Sequence, residues 1–115
     1  MKKVKLLLFL FLFILFGVYG QTTIIDQRFI GSWEQGDGTI WNFYRDGTGI
    51  IQTTEGMHLQ LICIEYSTPF SEHIIIISFF NGQLNTINVY EYVFMSVDRT
   101  LRLSKEGERI FLNKN

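Results

Sequence analysis

Tight reversals at short, regular intervals are the feature that most constrains the fold of this sequence. Asp-Gly-Thr occurs twice, beginning at Asp37 and at Asp46, and an Asn-Gly pair begins at Asn81. Glycine after Asp or Asn readily takes the positive φ that two-residue hairpin turns require, and such pairs between apolar runs indicate β-hairpins. We therefore expect these turns to join short, neighbouring antiparallel strands.

Runs rich in β-branched and aromatic residues alternate with these and similar turns. After residue 20 no stretch shows a sustained apolar repeat at i, i+3 and i+4, so little helix is expected. The predicted strands cover residues 29–34, 39–44, 48–54, 57–66, 73–80, 84–95, 100–104 and 109–113.

Strands that follow one another in this way predict an all-β fold, an antiparallel up-and-down meander of about eight short strands. An open meander leaves two unpaired sheet edges, whereas closure removes both of them. A closed or partly open barrel is therefore favoured, and a two-sheet sandwich is the alternative.

The first twenty residues differ in composition from the rest. Residues 1–5 carry three lysines, and residues 6–18 are apolar apart from Gly17. This order matches a secretory signal peptide, and residues 6–20 are fewer than the roughly 17 to 25 apolar residues that cross a bilayer. We expect residues 1–20 to be a signal peptide cleaved after Gly20 and residues 21–115 to form one domain. An uncleaved membrane anchor is the alternative.

The single cysteine and the charge balance limit where the protein is expected to be located and which partners it is expected to bind. Cys63 is the single cysteine, so it can form neither an internal disulfide nor a lipid-anchored N-terminus after cleavage. We expect a buried thiol and an exported protein of the periplasm, cell surface or extracellular space, with no stable membrane anchor after cleavage. Residues 21–115 hold 7 Lys/Arg against 11 Asp/Glu, a net charge of about −4, with the basic residues dispersed. Nucleic-acid binding needs clustered basic residues and is not expected.

Candidates for catalysis or metal binding are few. The two histidines, His58 and His73, lie in separate predicted strands, and no cluster of Cys, His and Asp has metal-ligand spacing. Most carboxylates lie at turns, where they accept backbone hydrogen bonds, while Glu65 and Glu91 lie in apolar strands and are expected on the outer face. No phosphate loop, nucleophile elbow or dinucleotide motif occurs. We expect no enzyme, no catalytic residue, no metal and no cofactor.

Aromatic residues and one isoleucine run give the candidate binding surfaces. Trp41 and Phe43 share one face of their predicted strand, and Tyr90, Tyr92 and Phe94 share one face of theirs. These five residues either fill the core of a small barrel or line a pocket for a small apolar ligand.

The run of residues 74–80, which begins with Ile74 and ends with Phe80, has no polar alternation, so both faces of its strand need cover. This run is either doubly buried or the site of a protein partner.

Short motifs resemble those of the small bacterial lipocalin-like (calycin-type) exported domains. The matching residues are Gly31-Ser32-Trp33, the segment from Trp41 through Phe43 to Asp46-Gly47-Thr48, and a closing hairpin over residues 101–112. The resemblance implies an antiparallel calycin-type barrel. Our first hypothesis is an exported non-enzymatic binding module of lipocalin-like type, which holds a small apolar ligand or presents loops at the barrel mouth. The resemblance also implies that Trp33 closes one barrel end against an arginine, for which Arg102 and Arg109 are the candidates. A protein-interaction or inhibitor role is the alternative.

Overall fold

The computed structural model describes residues 25–115, which form a closed eight-stranded barrel. Each strand pairs antiparallel with the next along the chain, and β8 pairs back with β1 through Trp33 opposite Lys114. A 3-10 helix at Gln27–Phe29 precedes the strands β1 (Gly31–Gln35), β2 (Ile40–Phe43), β3 (Thr48–Gln52), β4 (His58–Ser67), β5 (Glu72–Phe80), β6 (Gln83–Met95), β7 (Thr100–Lys105) and β8 (Glu108–Lys114).

The predicted all-β, up-and-down meander is thus confirmed, and it closes into a barrel rather than dividing into a sandwich. The predicted signal peptide, residues 1–20, lies outside the described residues.

The two Asp-Gly-Thr turns have the hydrogen bonds and the backbone conformation that their residues predict. The carboxylate of Asp37 accepts a hydrogen bond from the backbone N–H of Thr39 at 2.9 Å, and that of Asp46 accepts one from Thr48 at 3.0 Å. Gly47 has φ +87°, the left-handed conformation that glycine adopts without strain. The Thr39 amide lowers the pKa of Asp37, and the Thr48 hydroxyl lowers the pKa of Asp46, so both turns favour charged carboxylates.

The up-and-down order places alternate turns at opposite ends of the barrel. The 3-10 helix and the β2–β3, β4–β5 and β6–β7 turns lie at one end, which we call the plugged end. The remaining four turns lie at the other, which we call the far end. Alternation along each strand sends one set of side chains inward, and the buried core gathers Trp33, Phe43, Leu61, Leu101 and Leu112 from five strands. Removal of this apolar surface from water is the main stabilising term for such a domain.

Candidate functional site

The plugged end is covered by the short segment that precedes β1. The carboxylate of Asp26 caps the 3-10 helix by accepting a hydrogen bond from the backbone N–H of Arg28 at 2.9 Å. The same carboxylate accepts a 2.7 Å hydrogen bond from the guanidinium of Arg28. Together these bonds turn the chain so that Phe29, which is fully buried, points into the barrel.

Phe29 joins four of the five candidate aromatic residues into one packed group. Its ring lies edge-on to Phe43, Tyr92 and Phe94, with centroids 5.4, 4.8 and 4.9 Å away. Trp41 contacts Phe43 at 6.2 Å between centroids. The three edge-to-face contacts of Phe29 are an arrangement that aromatic quadrupoles favour.

All five candidate ligand-binding residues face inward. Trp41, Phe43, Tyr90 and Tyr92 are buried, and Phe94 is half-buried against the core. The structure therefore brings the set together as members of the packed interior.

Trp33 lies at the plugged end, between β1 and the 3-10 helix. It is fully buried, and its indole N–H donates a 2.7 Å hydrogen bond to the carbonyl of Phe29. The cation over its ring is Lys114, whose ammonium lies 5.1 Å from the ring centroid and donates to the carbonyl of Ile30 at 3.0 Å.

The structure does not bring Arg102 or Arg109 to Trp33. Both arginines alternate with inward leucines of β7 and β8, so they lie on the outer surface. Arg102 stands opposite the exposed Phe111, and Arg109 stands opposite Ser104. The resemblance implies an arginine beside Trp33, whereas in the structure the cation beside Trp33 is Lys114.

Glu65 corrects the expectation that both strand carboxylates lie on the outer face. It stands opposite the buried Ile74, and its Oε1 accepts a 2.8 Å hydrogen bond from the backbone N–H of Asp26. Burial raises the pKa of Glu65, and the hydrogen bond from Asp26 offsets part of that rise. Glu91 does lie on the outer face, opposite His73.

Cys63, two residues before Glu65 on the same face of β4, is fully buried, and burial raises the pKa of its thiol to about 12. The thiol is thus neutral at physiological pH, because the reactive thiolate would need a far lower pKa.

The Glu65→Gln variant is expected to lose less stability than the wild type as the pH rises. A folded-state pKa above the ordinary value of 4.5 means that folding favours the protonated carboxyl. The protonated Glu65 carboxyl therefore stabilises the fold below about pH 4.5, and this stabilisation is lost as the pH rises through the raised pKa of Glu65. Glutamine has no charge to bury and keeps an oxygen acceptor for Asp26. Urea denaturation between pH 3.5 and 7 measures the difference.

The matched control for this prediction is Glu34→Gln, which removes an exposed carboxylate from β1. It should follow the wild-type dependence on pH. If Glu65→Gln also follows that dependence, burial of the Glu65 carboxylate does not affect stability and the assignment is wrong.

The outward side chains of three neighbouring strands form a continuous apolar surface. The register aligns Ile62, Ile77 and Ile87 in one row across β4, β5 and β6, with a second row beside it. We call this surface the outer apolar face, and its members are Ile62, Ile64, Ile75, Ile77, Ile87 and Val89.

Exposure differs across the outer apolar face. Ile77 points outward and yet is only 2% exposed, whereas Ile87 and Val89 on β6 are 41% and 43% exposed. The strand of residues 74–80 is therefore apolar on both sides, with Ile74 and Ile76 in the core and Ile77 at the centre of the face.

A polar row borders the outer apolar face toward the plugged end. Tyr66 lies opposite His73, His73 opposite Glu91, and Glu91 opposite Ser104. The rings of Tyr66 and His73 stack, with centroids 4.8 Å apart and planes 5° from parallel. Within residues 25–115, the buried Nδ1 of His73 and Oγ of Ser104 have no hydrogen-bond partner. Buried polar atoms rarely stay unsatisfied, so contact with water or another molecule would satisfy them.

Residues 25–115 form two pockets on the outer wall that adjoin the outer apolar face. One of about 340 Å³ lies over β3, β4 and β5, between Tyr44, Ile50 and Phe79. The other, of about 580 Å³, lies where β6 and β7 part, between Val89 and Glu106. We call the second one the outer pocket.

β6 continues well beyond its partner β7. The β6–β7 pairing begins at Glu91 opposite Ser104, whereas β6 pairs with β5 from Gln83 onward. Within the described part of the chain, Gln83–Tyr90 therefore have a strand on one side only. We call residues 83–90 the free edge of β6. Beside it, the ammonium of Lys105 donates to the side-chain oxygen of Asn88.

Neither a metal centre nor a spanning helix is present in the described part of the chain. No group of three or more His, Cys, Asp or Glu side chains within residues 25–115 is placed to hold a metal ion. In the same range, no helix has the length and apolarity to cross a membrane.

Comparisons with known proteins add no relative. No family model matches the chain. Searches of curated proteins and of solved structures likewise found no match. The eight-stranded antiparallel barrel is consistent with a lipocalin-like fold, and that likeness rests on the barrel and on the short motifs around Trp33 and Trp41.

Proposed function

We propose that this chain is an exported, non-enzymatic interaction protein that binds another protein through the outer apolar face. The observation that carries the proposal is the exposure of Ile87 and Val89, about two fifths each, beside the covered Ile77 on the outside of a closed barrel. Contiguous apolar surface of this kind is typical of protein-binding sites, because association removes it from water.

The surroundings of the outer apolar face support a protein partner. Polar and aromatic side chains of the bordering row, from Tyr66 to Ser104, surround one side of it, as the polar rim surrounds the apolar centre of many interfaces. Tyr66 is 41% exposed, and tyrosine is enriched at interfaces.

The second candidate is a lipocalin-like, calycin-type module that holds a small apolar ligand. The aromatic side chains Trp41 and Tyr90 favour it, because both face the interior on the side of the barrel away from the 3-10 helix. A ligand there would have to displace packed side chains, since Trp41 is only 5% and Tyr90 only 7% exposed. Loss of that packing costs free energy, so the geometry supports the interaction role better.

The exported location in this proposal rests on the sequence of residues 1–20.

The Ile64→Lys variant should lose binding to the partner while keeping the barrel. Ile64 lies in the outer apolar face on β4, and burying the unpaired ammonium of a lysine in an interface there costs several kcal/mol of desolvation. Affinity capture from the native host, followed by measurement of the affinity of the captured protein, should show at least about a tenfold loss. Circular dichroism of the variant should match the wild type.

The control is Phe111→Lys, which places the same charge on the outer side of β8, at a residue that is 46% exposed. It should leave the affinity unchanged. Equal effects of both variants would contradict the proposed face. Native mass spectrometry that finds a bound small molecule and no protein partner would support the second candidate instead.

A further inference from the structure

The outer pocket combines apolar and polar walls, and it opens because β6 runs beyond β7. Ile87 and Val89 of β6 form its apolar part and are 41% and 43% exposed. Glu91 and Ser104, the last pair between β6 and β7, border it toward the plugged end. Sites that hold a small ligand span roughly 300 to 1,000 Å³, so a pocket of about 580 Å³ can receive one large side chain of another protein.

The outer pocket holds two carboxylates that no basic side chain neutralises. Glu91 lines it from β6, and Glu106 lines it from the exposed turn between β7 and β8. Within residues 25–115 the ion pairs are formed by Arg28, so neither pocket carboxylate has a basic partner in that range. The pocket can therefore receive a cation from another molecule.

Lys105 also lines the pocket, but its ammonium is engaged on the other side of β6. Lys105 alternates with the buried Leu103 on β7, so its side chain leaves the strand toward the inner face. Its ammonium donates to the side-chain oxygen of Asn88, which alternates with the buried Tyr90 on β6. Glu91 lies on the outer face instead, so Lys105 leaves its carboxylate unpaired.

An aromatic stack borders the same pocket. Tyr66 and His73 both line it, and their rings stack with centroids 4.8 Å apart. Tyr66 is 41% exposed, so part of its ring is open to a bound molecule. A guanidinium stacks on aromatic rings and pairs with carboxylates through two parallel N–H···O bonds, whereas an ammonium is a strongly hydrated point charge. Arginine is thus the cationic side chain that suits both the stack and the carboxylates.

We propose that the protein partner inserts an arginine side chain into the outer pocket, with its guanidinium beside Glu91 and Glu106. The aliphatic stem of that arginine lies on Ile87 and Val89. This assignment rests on the proposed partner binding and adds the chemistry of the partner. Charge favours a basic segment, because residues 21–115 have a net charge of about −4, and charge complementarity speeds association and selects partners.

The test is a nuclear magnetic resonance titration of the purified protein with N-acetyl-arginine methylamide. We expect saturable shifts of the amides of Glu91, Ser104 and Glu106, with half-saturation below about 50 mM, the weak affinity of a single side chain. N-acetyl-citrulline methylamide has nearly the same shape without the charge. It should bind at least about threefold more weakly, because it forms no ion pair.

Matched variants locate the site. Glu91→Gln keeps the size of the side chain and removes its charge, so it should weaken binding of the arginine probe at least about threefold. Glu106→Gln, at an exposed turn, should have an effect in the same direction. The control Glu34→Gln removes an exposed carboxylate from β1, outside the pocket, and should leave the affinity unchanged. Glu91→Gln should also lower the affinity of the captured partner.

Absence of saturable shifts up to about 50 mM overturns the proposal, since the pocket then does not hold the side chain. So does citrulline binding as tight as arginine binding, or an equal effect of Glu91→Gln and Glu34→Gln. Failure of the proposed function is a separate outcome, because the probe is added to purified protein alone. Full partner affinity in Ile64→Lys contradicts binding through the outer apolar face, whatever the probe shows.

Discussion

Trp33→Ala should lower the free energy of unfolding by about 3 to 5 kcal/mol, the cost of removing a large aromatic side chain from a packed core. Trp33 is 0% exposed, and alanine leaves the volume of the indole empty. The carbonyl of Phe29 also loses its 2.7 Å hydrogen bond, and the ammonium of Lys114 loses the ring beneath it. Urea denaturation followed by far-ultraviolet circular dichroism measures the loss.

Two tryptophan variants show how specific that effect is. Trp33→Phe keeps an aromatic ring but leaves the Phe29 carbonyl without its donor, so it should cost less than alanine yet more than about 1 kcal/mol. A loss below about 1 kcal/mol for Trp33→Ala would mean that the side chain is not part of the core. It would also contradict the packing of the plugged end.

Phe29→Ala should cost about 3 to 5 kcal/mol as well, although Phe29 belongs to no strand. Its ring is fully buried and lies edge-on to three aromatic side chains from β2 and β6. A loss of this size means that the segment before β1 unfolds together with the barrel. Denaturation followed by two probes, circular dichroism and tryptophan fluorescence, should give coincident transitions.

The control at the same end is Arg28→Ala. The guanidinium of Arg28 is 46% exposed and pairs with Asp26 at 2.7 Å, and exposed ion pairs contribute about 0 to 1 kcal/mol. A small effect of both variants, with the fluorescence change preceding loss of the β-sheet signal, would show instead that the segment detaches from a barrel that is stable without it.

Turn chemistry acts over a few residues, and this is why the strands and their order could be predicted from the sequence. Asp46 hydrogen-bonds Thr48 across a single glycine, so the reversal is encoded where it occurs. Alternation within β6 likewise placed Tyr90 and Tyr92 on one face, which the structure shows to be the inner one. Closure followed from the physical cost of sheet edges rather than from any particular residue.

Features that depend on distant parts of the chain could not be predicted. Glu65 faces inward because it alternates with Leu61 and Cys63 on β4, but the donor that its buried carboxyl needs, the Asp26 amide, lies 39 residues earlier in the chain. Lys114 lies over Trp33 only because β8 pairs with β1.

Two features of the candidate sites had signals in the sequence. The polar segment before residue 29 is compatible with a turn of helix, and the good helix cap Asp26 indicates where that turn begins; the structure extends it to Phe29, which the apolar pattern places in the first strand. The free edge follows from a predicted sixth strand that is much longer than the seventh, a difference visible in the sequence.

Pairing between β1 and β8 joins the first and last strands of the barrel, and this sets the order in which the molecule can fold. The other seven pairings link consecutive strands, so each can form as soon as the two strands of that hairpin are present. The seam from Trp33 to Lys114 requires the whole chain and the slowest loop closure. Trp33 lies on that seam, so in a Trp41→Phe background its fluorescence would time the final step of barrel assembly.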